Sequence, residues 1–193
     1  MLESPERVRR REVGEWVLHG ERTYENPFAD VIVEAVFEVP SGQVLKVPGF
    51  YDGENTWRVR FNPAEVGTYS FCISSYPEDS DLVGEGTFEV EEREGPGYLQ
   101  ATPDQGWGFS YESGERVFLL GDTTYNLFGM AHCGEDVDGF LARRAGQSFN
   151  LFRVRVPVSP FHPPEGYSVW QDRRTWPWGG SEQKPLFDRF NLD

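Results

Sequence analysis

Asp122, Thr123, Arg153, Arg155, Trp170, Trp176 and Trp178 are the residues of this 193-residue chain whose types and spacing suit chemistry. Asp122 and Thr123 close an apolar run, Val117-Phe-Leu-Leu-Gly-Asp-Thr123, and Arg153 and Arg155 interrupt another, Phe149-Asn-Leu-Phe-Arg-Val-Arg-Val156. A carboxylate and a hydroxyl just past a strand exchange hydrogen bonds with a ligand rich in hydroxyls. The same Asp122, with Thr123 and Thr124, also suits a helix cap or a braced loop. A guanidinium in a buried strand needs a carboxylate partner, because an unpaired charge there is costly. Tryptophan rings stack on the C–H faces of sugar rings, and Trp176-Pro-Trp178 is the best local platform, although such rings equally serve to cover a sheet edge. Glycosidic cleavage needs two carboxyl groups about 5–9.5 Å apart. Asp122, Glu135, Asp136 and Asp138 do not establish that pair, and the last three read more simply as the acidic start of a helix. His132 and His162 are isolated loop histidines without zinc-site spacing, so no metal is expected. No Gly-x-Ser-x-Gly, P-loop or dinucleotide fingerprint occurs, and no cofactor is expected.

The elements that must hold these residues follow from the spacing around them. Val117 to Val156 reads as strand, helix, strand. Gly134-Glu-Asp136 opens the helix, Val137, Phe140, Leu141 and Ala145 share its apolar face, and Gly146 offers a stop. Gly139 inside it costs about 1 kcal/mol against alanine. The flanking runs are mostly apolar without strict alternation, as in parallel strands buried on both faces, and such sheets place ligand groups past the strands' C-terminal ends. Leu120 and Val154 are therefore expected side by side, on strands pointing the same way. Trp107–Tyr111 and Glu115–Leu120, joined at Ser113-Gly114, read as a hairpin leading into the first of these strands. Pro160 to Lys184 reads as a long loop, and Phe187 to Asp193 as the start of another helix.

The first half has a different grammar. Val31, Val33, Ala35, Phe37 and Val39 alternate with outward residues, as do Trp57, Val59 and Phe61, then Tyr69, Phe71 and Ile73, then Phe88 and Val90. Strict alternation marks antiparallel strands with one buried face, and turn signals at Pro40-Ser-Gly42, Asp52-Gly53, Asn62-Pro63 and Gly84 space them as in a β-sandwich. In Asn62-Pro-Ala-Glu-Val-Gly-Thr-Tyr69 the tyrosine is placed to hydrogen-bond backbone across a sandwich corner. The charged linker Glu91-Glu-Arg-Glu-Gly-Pro-Gly97 then separates residues 1–93 from residues 94–193.

A net charge of −14, from 18 basic and 32 acidic residues, gives no general attraction to nucleic acid or anionic membrane. Arg7, Arg9, Arg10 and Arg11 read as a solvated tail. The two cysteines, Cys72 on an outward strand face and Cys133 in a loop, suggest neither a disulfide framework nor a zinc site. The N-terminus lacks the apolar core of a signal peptide and no apolar run approaches membrane-spanning length, so a soluble, cytoplasmic protein is expected.

Several of these stretches resemble a two-part architecture of carbohydrate-active enzymes: an N-terminal immunoglobulin-like domain of the collagen-binding type followed by an apiosidase-like (β/α)8 glycoside hydrolase. The first part is matched by Glu15-Trp16, Tyr24-Glu-Asn-Pro-Phe-Ala-Asp-Val31, Gly49-Phe-Tyr-Asp-Gly53, Trp57-Arg-Val-Arg-Phe61 and Gly67-Thr-Tyr69. The second is matched by Phe118-Leu-Leu-Gly-Asp-Thr123 and Arg144-Ala-Gly-Gln-Ser-Phe-Asn-Leu-Phe-Arg153, with Tyr125 where the family usually has tryptophan. The resemblance implies a multi-domain β plus α/β chain: an immunoglobulin-like antiparallel β-sandwich over 1–93, then the first strands and helix of an incomplete (β/α)8 barrel over 94–193. It implies a carbohydrate substrate, hydrolysis of a complex or plant-type glycan, and substrate contacts from Asp122, Thr123, Arg153, Trp176 and Trp178. It also places the catalytic carboxylates beyond Asp193, so the chain alone would be inactive. The alternative is a non-catalytic carbohydrate- or collagen-binding sandwich. Two parallel strands and one helix would leave unpaired edges and uncovered apolar faces, so residues 98–193 alone should be weakly stable or self-associating.

Overall fold

The computed structural model describes residues 1–102, 108–132, 134–155, 178–181 and 184–192. The chain divides into two compact units, one built on Met1–Gly95 and one on Pro96–Asn191.

In the first unit, residues that alternate in sequence alternate between core and solvent. Its strands are β1 (Leu2–Glu3), β2 (Arg7–Arg9), β3 (Gly14–His19), β4 (Ile32–Glu38), β5 (Val44–Pro48), β6 (Phe50–Tyr51), β7 (Thr56–Phe61), β8 (Gly67–Tyr76) and β9 (Gly84–Glu91). They form a four-stranded sheet in the order β1-β3-β7-β6 and a five-stranded sheet in the order β2-β9-β8-β4-β5. All pairings are antiparallel except that of β2 with β9, which is parallel with Val8 opposite Val90. Trp16, Leu18, Trp57 and Val59 from the first sheet meet Val33, Ala35, Phe37, Phe71, Ile73 and Phe88 from the second in one buried core. Trp16 is fully buried and presents its ring at 65–70° to Phe37, Phe71 and Phe88, with centroids 4.9, 5.6 and 5.0 Å away. Edge-to-face pairs of this kind add about 0.5–1.5 kcal/mol each beyond their buried area.

The tyrosine corner is present. The Tyr69 hydroxyl donates to the Glu65 carbonyl at 3.1 Å and accepts from the Glu65 N–H at 3.0 Å. It thereby closes the turn that carries the chain from β7 into β8. Burial raises the Tyr69 phenol above its ordinary pKa, against the opposing pull of its bond to Glu65. The N-terminal arginines are not a solvated tail. Arg7 and Arg9 flank the inward Val8 on β2, Arg7 pairs with Glu91 at 3.1 Å, and Arg10 donates to the Ala64 carbonyl at 2.8 Å. Cys72 is exposed and free, on the outward face as expected.

The second unit begins with a three-stranded antiparallel sheet of β10 (Leu99–Ala101), β11 (Phe109–Tyr111) and β12 (Arg116–Val117). The hairpin expected around Ser113-Gly114 forms, with Gly114 at φ +86°. After it come β13 (Gly121–Thr123), α1 (Leu127–His132), α2 (Val137–Gly146), β14 (Leu151–Arg153), β15 (Trp178–Ser181) and β16 (Lys184–Phe190). Strands β13 and β14 are parallel, pairing Gly121 with Leu151, Asp122 with Phe152 and Thr123 with Arg153. Asp136 caps α2 by accepting the Gly139 N–H at 2.9 Å. A Cβ at Gly139 would collide with that carboxylate, so the glycine belongs to the cap.

Several expectations change here. The apolar run to Thr123 is shared between two sheets, β12 and β13, so Leu120 does not lie beside Val154. Leu120 lies beside Asn150, whose side chain accepts the Leu120 N–H at 2.9 Å and donates to the Phe118 carbonyl at 2.8 Å. A carboxamide that stands in for backbone partners ends the ladder on that side. The strands are not buried on both faces, since Phe118, Leu120 and Leu151 are 83, 36 and 44 % exposed. Helix α2 ends with Gly146 still helical, and the left-handed residue that turns the chain is Ser148, at φ +68°. His132 ends α1 instead of lying in a loop. Phe187–Phe190 is strand, not helix: β16 pairs with β15 as an antiparallel hairpin in which Trp178 stacks on Phe190 at 5.4 Å. One parallel pair does not make a (β/α)8 barrel, and the described residues carry no further parallel strand in this unit. No helix among the described residues is long and apolar enough to cross a membrane.

Candidate functional site

The parallel pair β13–β14 sorts the candidate residues by strand parity. Neighbours along a strand point to opposite faces, and directly paired residues share a face. Asp122 and Phe152 therefore lie on one face, Thr123 and Arg153 on the other. The first face is the one packed on α2. The Phe152 ring lies 6.1 Å from that of Phe140, and Asp122 Oδ2 lies 2.7 Å from Arg144 Nε. That contact is an ion pair whose N–H is not aligned on the carboxylate, since Arg144 Nε is buried with no hydrogen-bond acceptor.

Arg144 is held from several sides. Its guanidinium carbon lies 5.3 Å from each of the Phe140 and Phe149 rings, and Nη1 donates to Gln147 Oε1 at 3.0 Å. Asp122 Oδ1 accepts the Thr123 N–H at 2.8 Å. Both carboxylate oxygens of Asp122 are thus engaged by the protein, on the helix side of the sheet.

Thr123 and Arg153 have the opposite aspect. Both are exposed, on the face that α2 does not cover. Just past them the two chains stay zipped, with the Thr124 N–H donating to the Arg153 carbonyl at 3.0 Å and the Arg155 N–H to the Tyr125 carbonyl at 3.2 Å. This brings the Arg153 and Arg155 guanidinium carbons to 5.4 and 4.5 Å from the centroid of the Tyr125 ring. The carboxylate partner expected for Arg153 is not found among the described residues; an aromatic face stands there instead. The next residue, Asn126, is buried, and its side-chain oxygen has no hydrogen-bond partner among the described residues.

Of the tryptophan pair, Trp178 is described and Trp176 lies outside the described residues, as do Trp170, His162 and Cys133. Phe190 stacks on Trp178 and Phe187 meets it edge-on at 5.6 Å, so one ring face is already used within the hairpin. No cluster of three metal-ligating side chains occurs among the described residues. Tyr125, Arg144 and Asn126 were missed as participants by sequence reasoning. The available signal for Arg144 was its place one helical turn beyond Phe140, facing the same strand.

The sandwich offers a second surface. The outer face of its five-stranded sheet carries a shallow groove of about 560 Å3 lined by Val36, Glu38, Val44, Cys72, Glu85 and Thr87, among others. No exposed aromatic ring lines it. On the opposite sheet, Arg58 bridges Glu15 and Asp52 at 2.5 Å each, and Arg60 reaches Glu15 at 2.7 Å. The hydrogen bond from Arg60 leads the effects that hold Glu15 below the usual carboxylate range. These charges compensate one another.

A family described as a domain of unknown function, DUF5060, matches residues 7–76. No curated protein matches the sequence. A crystal structure of a "putative glycoside hydrolase" from Bacteroides vulgatus ATCC 8482 is similar over 97 % of this chain, at 25 % identity and a TM-score of 0.75. The filamin domain of Lin-41 and the CARDB domain of a Pyrococcus furiosus protein align with 45 and 47 % of the chain at TM-scores of only 0.33 and 0.31, too low to carry an argument. The chain spans 37 % of the length of the Bacteroides structure, which it resembles through both of its units.

Proposed function

We propose that this chain is the N-terminal portion of a glycoside hydrolase acting on a complex or plant-type glycan, with an immunoglobulin-like sandwich followed by the opening strand–helix–strand of a (β/α)8 barrel of the apiosidase-like kind. The observation that carries the reading is the parallel register of Thr123 with Arg153, across a pair whose other face packs on the intervening helix. In a barrel the helices lie outside and ligand groups gather at the C-terminal ends of the strands. By that logic Thr123 and Arg153 face the sugar, and Asp122 ties strand to helix. Trp178 would add an aromatic ring for stacking on a sugar face.

The sandwich topology supports the immunoglobulin-like reading, with β2 parallel to β9 and Tyr69 bonded back to Glu65. The exposure of Leu151, which shares the face of Arg153, supports further strands closing over that face, and the catalytic carboxylates belong with them. The alternative, a non-catalytic carbohydrate- or collagen-binding sandwich, draws support from the groove beside Val36 and Thr87, but that groove lacks the exposed aromatic rings sugars favour.

Chemical-shift mapping with a panel of plant oligosaccharides tests the choice. Shifts centred on Thr123, Tyr125 and Arg153 are expected. Shifts confined to β4, β8 and β9, or binding retained in full by residues 1–93 alone, would overturn the reading in favour of the module.

A further inference from the structure

The passage of the chain from β1 to β2 leaves a gap in the side of the sandwich. Strand β1 runs beside β3 only at Leu2 and Glu3, opposite Leu18 and Val17, before the chain crosses to the other sheet as β2. Gly14, Glu15 and Trp16 of β3 therefore have β7 on one side and, among the described residues, no strand on the other. Strand β2 is in turn the outermost strand of its own sheet. The Glu89 N–H donates to the Glu6 carbonyl at 3.0 Å and the Arg10 N–H to the Glu91 carbonyl at 2.8 Å. By the alternation of a parallel ladder, Val8 is then the residue whose backbone groups face β9, and the N–H groups of Arg7 and Arg9 point away from it. A cavity of about 320 Å3 is lined by all three residues of β2 and by residues 12–15, and Pro5, Val8 and Val13 form its apolar part.

The charges that line this cavity are matched with one exception. Glu91 meets Arg7 at 3.1 Å, Glu12 meets Arg93 at 3.4 Å, and Glu15 is held by Arg58 and Arg60. Arg9 has no partner among the described residues. The Arg7–Glu91 pair is well exposed, so a better-placed carboxylate displaces it at little cost. A strand laid against β2 sets alternate side chains beside Arg7 and Arg9, and the one between them beside Val8. A second copy of β2 does not suit that place, because it would set arginine against arginine. We propose that the free edge of β2 receives an extended segment of another protein with the pattern acid, apolar, acid. Its two carboxylates meet Arg7 and Arg9, its apolar side chain enters the cavity beside Val8 and Val13, and its backbone pairs with the outward N–H groups of β2. Nothing in this surface depends on a sugar site at β13 and β14.

The test titrates the whole chain with end-capped eight-residue peptides alternating valine with glutamate, glutamine or lysine, and follows backbone amide shifts. The glutamate peptide should move the amides of Arg7, Arg9 and Gly14. At low salt it should bind about threefold or more tightly than the glutamine peptide, and the lysine peptide should bind most weakly. Two further glutamate peptides carry N-methyl groups on alternate amides, one on the valines and one on the glutamates. One of them should lose about tenfold or more in affinity and the other should keep most of it, since only one edge of the added strand bonds to β2. Arg9→Gln should bring the glutamate peptide down to the affinity that the glutamine peptide has for the native chain. Arg9→Pro removes an outward N–H as well, leaves the bonds of Val8 to β9 in place, and should abolish binding; circular dichroism should show both variants folded. No shifts at millimolar peptide, equal affinity for the three peptides, or equal loss in the two methylated peptides would overturn the proposal and leave the arginines as protection of a short sheet edge. A dimer of the chain in sedimentation that Arg9→Pro dissolves would overturn it in favour of a second copy.

Discussion

Asp122 separates anchoring from ligand binding most sharply, and the two roles predict opposite phenotypes. Its Oδ2 is paired with Arg144 and its Oδ1 accepts the Thr123 N–H. Asparagine in its place keeps an Oδ1 acceptor and loses the charge; alanine loses both. The side chains are 25 % and 35 % exposed, so the ion pair belongs above the surface median but well below a buried pair. Asp122→Asn should then cost about 1 kcal/mol, and Asp122→Ala about 2 kcal/mol once the lost amide acceptor is added. Arg144→Met keeps much of the packing against Phe140 and Phe149, so a double-mutant cycle with Asp122→Asn should return a coupling of about 1 kcal/mol. Urea unfolding of the chain measures the stabilities, and amide exchange at Thr123 and Thr124 reports the local opening directly. Affinity for a bound oligosaccharide should be unchanged once corrected for the folded fraction. A coupling below about 0.3 kcal/mol, within the usual error of additivity, would refute the anchor. So would an Asp122→Asn variant of normal stability that no longer binds sugar.

Three further outcomes follow from the structure. Tyr69→Phe strips the corner of both bonds to Glu65 and should cost about 1–3 kcal/mol, several degrees in the thermal melt of the sandwich; a variant indistinguishable from wild type would mean the corner contributes nothing. The Asp79 carboxyl accepts from the Tyr24 hydroxyl at 2.6 Å and the Asp81 N–H at 3.0 Å, and the Tyr24 bond leads the effects that hold it below its ordinary pKa. Its stabilising contribution is therefore complete above the unfolded value of about 4 and is lost as pH falls through the lower folded one, so Asp79→Asn should flatten the acid limb of the stability profile below about pH 4; an unchanged acid limb argues against it. Finally, residues 98–193 prepared alone should self-associate or melt without a cooperative transition, given the exposure of Phe118, Phe128, Leu151, Phe187 and Phe190; sedimentation showing a monodisperse monomer with a sharp melt refutes this.

What the sequence discloses depends on how many residues each element has in which to declare a period. Strands β4, β7, β8 and β9 are six to ten residues long and alternate cleanly, so they are readable without coordinates. Strands β1 and β6 have two residues each and β2 three, and pairing partners, not pattern, define them. Arg7 and Arg9 look like a tail because the only inward residue between them is Val8. Helix α2 announces itself through Asp136 and its acidic first turn, whereas α1 has six residues with Gly129 in the middle. Phe187 and Phe190 stand three apart, the spacing of a helix face, and only the stacking of Phe190 on Trp178 across the hairpin shows otherwise. The site was half visible for the same reason. Asp122 and Thr123 are adjacent and equally polar, and nothing local says which of them meets the helix.

That choice is a matter of register, and register here has an identifiable pin. A slip of one residue between β13 and β14 would exchange the faces of every side chain on the slipped strand, bringing Arg153 to the helix side and Phe152 to the open one. Three backbone pairs are too few to forbid such a slip. Asn150 supplies the missing constraint: its side chain grips the Phe118 carbonyl and the Leu120 N–H while its own N–H donates to the Leu120 carbonyl at 3.0 Å. These three bonds fix which residue of the first run stands at the foot of the second. On the helix side, the ion pair with Arg144 fixes Asp122 as the β13 residue that faces α2. One asparagine before the strand and one ion pair behind it thus decide that Thr123 and Arg153 share the open face. The polar mouth is in this sense built from residues that never need to touch a ligand.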